Sequence, residues 1–453
     1  EGSGSGVAPS QVWPSTPAAL NPSIRTVTPI LGPAAVRRSL LVGWGLLVAL
    51  ITLVPGAEGS LRTSEPVLCL VCGSRGSADA ILNVVFFMPL GFLLRPRFPL
   101  ATVAFVGFAL SGTVELIQEL VPGRYPTLGD LVWNGTGCLL GAIGCDWLRR
   151  ELGDEPVAMS KRAGAVAVTL PVIYLLGAGL LLQPLPTDAA YYGQWTADLD
   201  FMPVYGGRAL EIETHWGGLP DGPMGQPGDP RFDPSWFVAA RIVKGPPPRG
   251  PAPIASIYDA EKREIALLGA HGEDLLWREW TRASVMRFDS PDRRFLGGLL
   301  PHPEGDTIRI AARGDAEARC LVVEDREDCG GGLSPGRTWG LLLFLEGTSE
   351  SRRTVLDIAW MATLSVLIGV LGGGLRRTLV LGSLTALGIL GAVAATRLGA
   401  TPAAEWAGFA GGIAAGVVLR PFLRHLVEGE GRDPAPLHQP DEVGVDATEF
   451  ELP

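Results

Sequence analysis

Eight apolar runs mark the chain: 39–54, 78–94, 98–121, 130–148 and 163–182, then 355–371, 378–396 and 403–419. Each is near the roughly 20 residues that an α-helix needs to cross a bilayer. Between the fifth and sixth runs, about 185–350, the period changes. Short stretches there alternate apolar and polar residues: 195–201, 209–214, 236–243, 253–259, 264–268, 274–280, 307–313, 319–325 and 338–345. Turn-rich segments such as GLPDGPMGQPGDP and KGPPPRGPAP separate them. The pattern predicts an α-helical multi-span membrane protein of about eight transmembrane helices with an inserted all-β sandwich of jelly-roll type.

Charge at the ends of the runs sets an orientation. Arg37 and Arg38, Arg95 and Arg97, Arg149 and Arg150, Lys161 and Arg162, Arg376 and Arg377, and Arg420 and Arg424 all fall on one side if the spans alternate. Basic loops stay in the cytoplasm, which places both termini inside and the sandwich outside. Arg352 and Arg353 fall on the other side, beside a large translocated domain where that rule is weak. The domains expected are a disordered segment 1–35, a five-helix membrane domain 36–183, the sandwich 184–350, three helices 351–424 and a disordered tail 425–453. EGSGSG at the start has the composition of a linker. From residue 428 onward there are eight acidic residues and one Arg, which accounts for much of the net charge of −10. No clustered basic face suggests a nucleic-acid partner.

Polar residues inside the apolar runs are the candidate chemistry. Asp79 and Asn83 are four apart, Glu115 and Gln118 three apart, Asp130 and Asn134 four apart, so each pair shares a helical face. Gly137 and Gly141 continue the last stripe with small residues that let helices approach closely. A carboxylate at bilayer depth costs at least roughly 2–3 kcal/mol, so these groups are expected to face one another or a watery cavity. They either fasten three helices together or form a site.

The order Asp79, Asn83, Pro89-Leu-Gly91, Glu115, Gln118, Pro122-Gly123-Arg124, Asp130, Asn134, Gly137, Gly141 resembles the VanZ-like family of small bacterial integral membrane proteins. That family is named for an accessory protein of resistance to the glycopeptide teicoplanin. The resemblance covers roughly the first third of the chain and implies the bacterial cytoplasmic membrane, with a link to the cell envelope. The stretch WFVAARIVKGPPPRGPAPIASIYDAEKREIALLGAHGEDLLWREW is similar to concanavalin A-like, laminin-G-type sandwiches, which implies glycan or protein binding.

A worn repeat is also legible. Asp357 and Gly369 are spaced as Asp79 and Gly91 are, and Glu405, Gly412 and Gly416 follow Asp130, Gly137 and Gly141 by 275 residues. Met361, Leu367, Ala394 and Phe409 stand where Asn83, Pro89, Glu115 and Asn134 would be, so the second copy is expected only to pack. Among the cysteines, Cys320 and Cys329 suit a disulfide in an oxidising compartment. Cys69 and Cys72 form a CxxC that redox or metal chemistry could use, but without a second pair or a nearby His a disulfide is the simpler reading. Cys138 and Cys145 read as small packing residues.

Catalytic constellations are sparse. The histidines, His215, His271, His302, His425 and His438, lie outside the membrane runs and in no nucleophile-elbow motif. Glu211 and Glu213 share a strand face but read as solvated carboxylates rather than a glycosidase pair. Calcium in the sandwich would use loop oxygens, with Asp221, Asp229 and Asp233 as candidates; no other cofactor or metal is expected. Two functions remain: a non-enzymatic envelope protein displaying a glycan- or protein-binding sandwich, or an intramembrane enzyme or carrier for a lipid-linked cell-wall intermediate. In the second, Arg124 binds an anionic head group and Glu115 or Asp130 acts as acid or base. The partners expected are membrane lipid and a cell-wall glycan or lipid-linked intermediate.

Overall fold

The computed structural model describes residues 32–53, 68–121, 127–153, 161–185, 190–198, 202–224, 236–261, 263–289, 292–314, 319–330, 333–343, 350–396 and 398–427. Before the insert come α1 (Pro33–Leu53), α2 (Gly76–Leu94), α3 (Leu100–Gln118), α4 (Leu128–Leu152) and α5 (Lys161–Leu181). A single turn, α6 (Arg282–Val285), lies within the insert, and α7 (Glu350–Gly372), α8 (Leu375–Ala395) and α9 (Ala403–Val427) follow it. Local chemistry sets their ends. Pro33 opens α1 ahead of its apolar run, where a missing N–H costs nothing. The Thr127 hydroxyl caps α4 by accepting from the Asp130 amide at 3.1 Å.

Seven of these helices are long and apolar enough to cross a membrane. The eighth, α4, is as long but carries Asp130, Asp146, Arg149, Arg150 and Glu151. It runs parallel to α2 from the Asn83–Asp130 hydrogen bond (2.6 Å) to the Arg95–Asp146 ion pair (2.8 Å), so it traverses the same layer. Glycine makes that pairing close. A Cβ on Gly91 would lie 1.7 Å from the Cys138 carbonyl oxygen, one on Gly137 2.2 Å from that of Val84, and one on Gly141 1.9 Å from that of Met88.

The pair α7 and α9 packs in the same way. A Cβ on Gly369 would lie 2.0 Å from the Ile413 carbonyl oxygen, on Gly412 2.2 Å from that of Ala362, and on Gly416 2.1 Å from that of Val366. Each α7 residue follows its α2 counterpart by 278 positions, and each α9 residue follows its α4 counterpart by 275. The contact itself is therefore repeated, residue for residue. One end of the bundle gathers basic side chains. Arg37 on α1 and Arg149 on α4 donate to the last carbonyls of α9, at Leu426 (2.9 Å) and Val427 (2.6 Å).

The insert forms two six-stranded antiparallel sheets. Its strands are β1 (Tyr191–Trp195), β2 (Arg208–Thr214), β3 (Gly217–Gly218), β4 (Gly222–Pro223), β5 (Trp236–Val243), β6 (Ala252–Asp259), β7 (Glu264–His271), β8 (Asp274–Glu279), β9 (Arg293–Phe295), β10 (Thr307–Gly314), β11 (Arg319–Val323) and β12 (Arg326–Gly330). One sheet runs β4-β1-β6-β7-β8-β9 and the other β12-β11-β10-β5-β2-β3. In β5 and β10 alternate side chains are buried, whereas β6 and β7 are buried on both faces. The sheets meet over a core that includes Trp236 stacked on Trp277, ring centroids 4.9 Å apart.

Of the stretch 338–345, read from its alternation as a strand, residues 338–341 lie instead in a 3-10 segment, Gly336–Leu341, and 344–345 lie outside the described residues. Its apolar residues are not laid on a sheet: Leu341 joins the helix core, and the Thr338 carbonyl and hydroxyl accept from Tyr174 (3.1 Å) and Trp360 (3.2 Å). This segment and residues 282–289 seat the sandwich on the bundle end opposite the basic cluster. The Ser77 amide donates to Arg287 O (3.1 Å), and the Arg75 guanidinium pairs with Asp289 at 2.8 Å.

Burial holds two carboxyls of the insert above the usual range, Glu264 at about 7 and Asp289 at about 6. Between pH 4 and 7 the folded chain therefore retains protons that the unfolded chain has lost, and stability falls as pH rises through that window. The Glu264→Gln/Asp289→Asn double variant should flatten this dependence in a melting series on the purified chain. An unchanged slope would refute the assignment.

Candidate functional site

The first polar network joins α2, α3 and α4. Asn83 Nδ2 donates to Asp130 Oδ1 (2.6 Å), and the Thr127 hydroxyl to Asp130 Oδ2 (3.0 Å). The Thr127 amide donates to Glu115 Oε2 at 3.1 Å, so one loop residue links the two carboxylates. Asn134 Nδ2 donates to the Ser111 hydroxyl (3.0 Å), while Gln118 Nε2 turns away to Thr52 O at the end of α1 (2.9 Å). Asp79 sits in the first turn of α2. Arg124 lies outside the described residues. The structure thus brings Asn83, Glu115 and Asp130 together, ties Asn134 in through Ser111, and sends Gln118 to a different helix.

A second network occupies the same place in the repeated pair. Asp357 on α7 accepts a fork from Arg337 (Nε 3.1 Å, Nη2 2.7 Å) and the Trp339 indole N–H at 2.8 Å. Glu405 in the first turn of α9 accepts from the Ser334 hydroxyl and from the Gly336 amide (2.7 Å). A Cβ on Gly336 would lie 2.4 Å from the Glu405 carboxyl carbon, so a larger residue there would displace that carboxylate. Contrary to the expectation of simple packing, both acidic counterparts in the second pair bind a folded segment.

Beside this network, where the sandwich meets α5, α7 and α9, lies a cavity of about 760 Å3. Its walls include Glu279, Asp292, Arg293, Arg294, Arg319, Arg337, Arg353, Asp357 and Glu405, with Leu182, Trp277, Leu296, Leu333 and Pro402 supplying apolar surface. The hairpin of β11 and β12 forms one wall, and a Cys320–Cys329 disulfide joins its directly opposed residues. Cys69 and Cys72 are likewise bonded, and Cys138 and Cys145 are buried thiols.

A family model described as VanZ/LLP1 matches residues 37–149, the span of α1 to α4 that holds the first network. Residues 37–149 form a VanZ-like domain. No curated protein and no solved structure matches the chain, so the sandwich has no identification as concanavalin A-like or laminin-G-type.

Asn83–Asp130 and Asn134–Ser111 link groups across helices, and Thr127 joins Glu115 of α3 to Asp130 of α4. Glu115→Gln is accordingly expected to keep normal folded levels in the membrane, since an amide oxygen still accepts from Thr127. A loss of folded protein on size-exclusion chromatography would show that the charge itself is required. In the sandwich, Asp221 accepts from the Trp195 amide at 3.4 Å. Asp229 and Asp233 lie outside the described residues. Glu211 pairs with Arg241 at 3.2 Å, with both side chains about half exposed. Sequence reasoning missed Thr127, Ser111 and the whole Ser334–Arg337–Trp339 segment. Hydroxyl residues near helix ends are too common to single out, and the cavity is assembled from elements far apart in sequence.

Proposed function

We propose that this chain is a non-enzymatic binding protein of the bacterial envelope. Its VanZ-like helices and their repeated partner hold a sandwich outside the cytoplasmic membrane, and ligand enters the cavity between sandwich and helices. The cavity carries this reading. It has the volume of a small-molecule site and mixes apolar walls with convergent charged groups. The repeated glycine contact supports an origin by duplication, with the insert placed between the copies. The basic end of the bundle supports an outside location for the sandwich. The VanZ-like match favours an envelope ligand, a cell-wall glycan or lipid-linked intermediate, and a link to glycopeptide resistance.

Two measurements test the proposal. A membrane-impermeant thiol reagent should label Glu304→Cys in intact cells and Lys161→Cys only after permeabilisation; both sites are exposed. The reverse pattern would overturn the orientation. Filling the cavity with Leu296→Trp should strip the purified protein of co-purifying envelope material identified by mass spectrometry. Identical material in both proteins would remove the cavity from the reading.

A further inference from the structure

Residues 282–289 of the insert belong to neither sheet; they lie across the ends of the spanning helices. Thr281 pairs with Pro184 in an isolated antiparallel bridge, and the Arg282 amide donates to Gln183 O (3.0 Å), just past the end of α5. Five residues on, the Arg287 carbonyl accepts from the amides of Ser77 (3.1 Å) and Ala78 (3.4 Å), in the first turn of α2. The turn α6 is thus tied at one side to a helix that ends and at the other to a helix that begins. It runs across the bundle at the level where the apolar helices stop.

One face of this turn is fixed in protein. Ala283 is buried in the helix core, and Phe288 packs against the same core. Between them the Phe288 amide donates to Ala283 O (2.8 Å) and the Arg287 amide to Ser284 O (3.1 Å), the pairing that closes a helix through a left-handed residue. That residue is Arg287, with φ 58°, where glycine is usual. The Asp289 amide, bonded to Leu341 O (3.1 Å), and the Arg75–Asp289 ion pair hold the returning chain.

The opposite face carries Val285 and Met286, 50% and 55% exposed. Single exposed apolar residues are ordinary on a soluble surface, but these continue the lipid-facing surface of the helices. The face of α2 that begins at Ser77 runs on through exposed Ile81, Val85 and Met88. On α4 the face that begins at Trp133 runs on through exposed Leu140 and Ile143. The Trp133 indole donates to Leu70 O (2.8 Å), as an aromatic at a lipid–water boundary can. Leu68 and Leu70 are themselves exposed, and their loop touches the turn where the Arg287 guanidinium donates to Val71 O. Exposed Arg282 and Arg287 flank the apolar pair, with stems long enough to hold their charges among polar head groups.

We propose that α6 anchors the insert to the bilayer surface, with Val285 and Met286, joined by Leu68 and Leu70, seated among the lipid head groups of the leaflet that the sandwich faces. Burial of these side chains at the head-group boundary removes apolar surface from water, as in interfacial helices. The anchor requires neither a ligand in the cavity nor a particular side of the membrane for the sandwich. Thr281, which leads into α6, belongs to the cavity wall, so the anchored turn sets that wall at the lipid surface.

The test uses the full-length chain in phosphatidylcholine nanodiscs, carrying a polarity-sensitive bimane label at Val285→Cys or Met286→Cys. The control is Glu304→Cys, exposed in the loop before β10. It lies beyond the strand end opposite Gly314, whose partner Arg319 is paired with Glu279, so about 25 Å of strand separates it from that end. Nanodiscs containing phosphatidylcholine spin-labelled high on the acyl chain should quench the labels at 285 and 286 at least twice as strongly as the label at 304. A spin label near the chain end should quench them less. Both side chains are half exposed, so the labelled proteins should keep the melting midpoint of the parent chain. Equal quenching at all three positions, or stronger quenching by the deep spin label, overturns the proposal. A blue-shifted but unquenched label at 285 and 286 would mean that protein, not lipid, covers the turn, and would overturn it as well.

Discussion

Gly91→Ala should leave little folded protein, and Gly369→Ala, 278 residues later, should do the same. The Cβ added at either place would lie 2.0 Å or less from a backbone carbonyl oxygen of the facing helix. Backbone cannot rotate away as a side chain can, so the helices must separate along their whole contact. Overpacking of this kind typically costs about 1–3 kcal/mol, and more where several close approaches share one crossing. Gly144→Ala and Gly411→Ala are the controls, on the same α4 and α9 but with nothing within 4 Å of the added Cβ. They should be neutral or slightly stabilising, by up to about 1 kcal/mol from helix propensity. Thermal stability by size-exclusion chromatography in detergent separates the groups. If Gly369→Ala behaved like Gly411→Ala while Gly91→Ala did not, the two helix pairs would not be equivalent and the repeat would lose its physical basis.

Much of this architecture is legible in the chain because it depends on period and length. Apolar runs of spanning length become α1 to α5 and α7 to α9, and alternation finds most strands. The errors fall where another force decides. Residues 338–345 alternate like a strand, yet Arg337 and Trp339 bond to Asp357 and residues 338–341 take a 3-10 turn against α7. The strand expected at 195–201 meets β1 only at Trp195, its last residue; Thr196 takes a positive φ of 43°, and 199–201 lie outside the described residues. β6 and β7 are buried on both faces, so periodicity alone could not assign them.

The polar cluster is legible for a similar reason. Asn83, Glu115 and Asp130 stand out in apolar surroundings, and shared helical faces bring them together. The cavity is not legible at all. Arg294, Arg337 and Glu405 come from a strand, a 3-10 segment and a helix far apart in sequence, and only the docking of the sandwich on the bundle brings them to one cavity. The insert begins to look like part of the membrane fold at this seam. Ala283 and Leu341 lie in the same apolar core as Leu175 and Ile368, so removing the insert would expose helix surface.

Arg337→Leu should therefore destabilise the helices as well as the seam. Asp357 is 5% exposed, and Arg337 supplies the opposing charge through a two-pronged bond. Removing the guanidinium leaves a buried carboxylate supported chiefly by the Trp339 indole. Losing one member of such a pair costs about 3–5 kcal/mol, most of it the penalty of the abandoned charge. Removing that charge too should recover most of the loss, so Arg337→Leu/Asp357→Asn is expected to be more stable than Arg337→Leu alone. Arg337→Lys should fall between them, because a point charge cannot reproduce the planar fork. Melting midpoints of the parent chain, Arg337→Leu, Asp357→Asn and Arg337→Leu/Asp357→Asn form a double-mutant cycle, with Arg337→Lys as an intermediate. Strictly additive effects would mean that Asp357 does not depend on Arg337. Coupling of the expected sign would show that the inserted segment and the second helix pair are stabilised as one unit, and that the wall of the cavity is fixed by the membrane helices themselves.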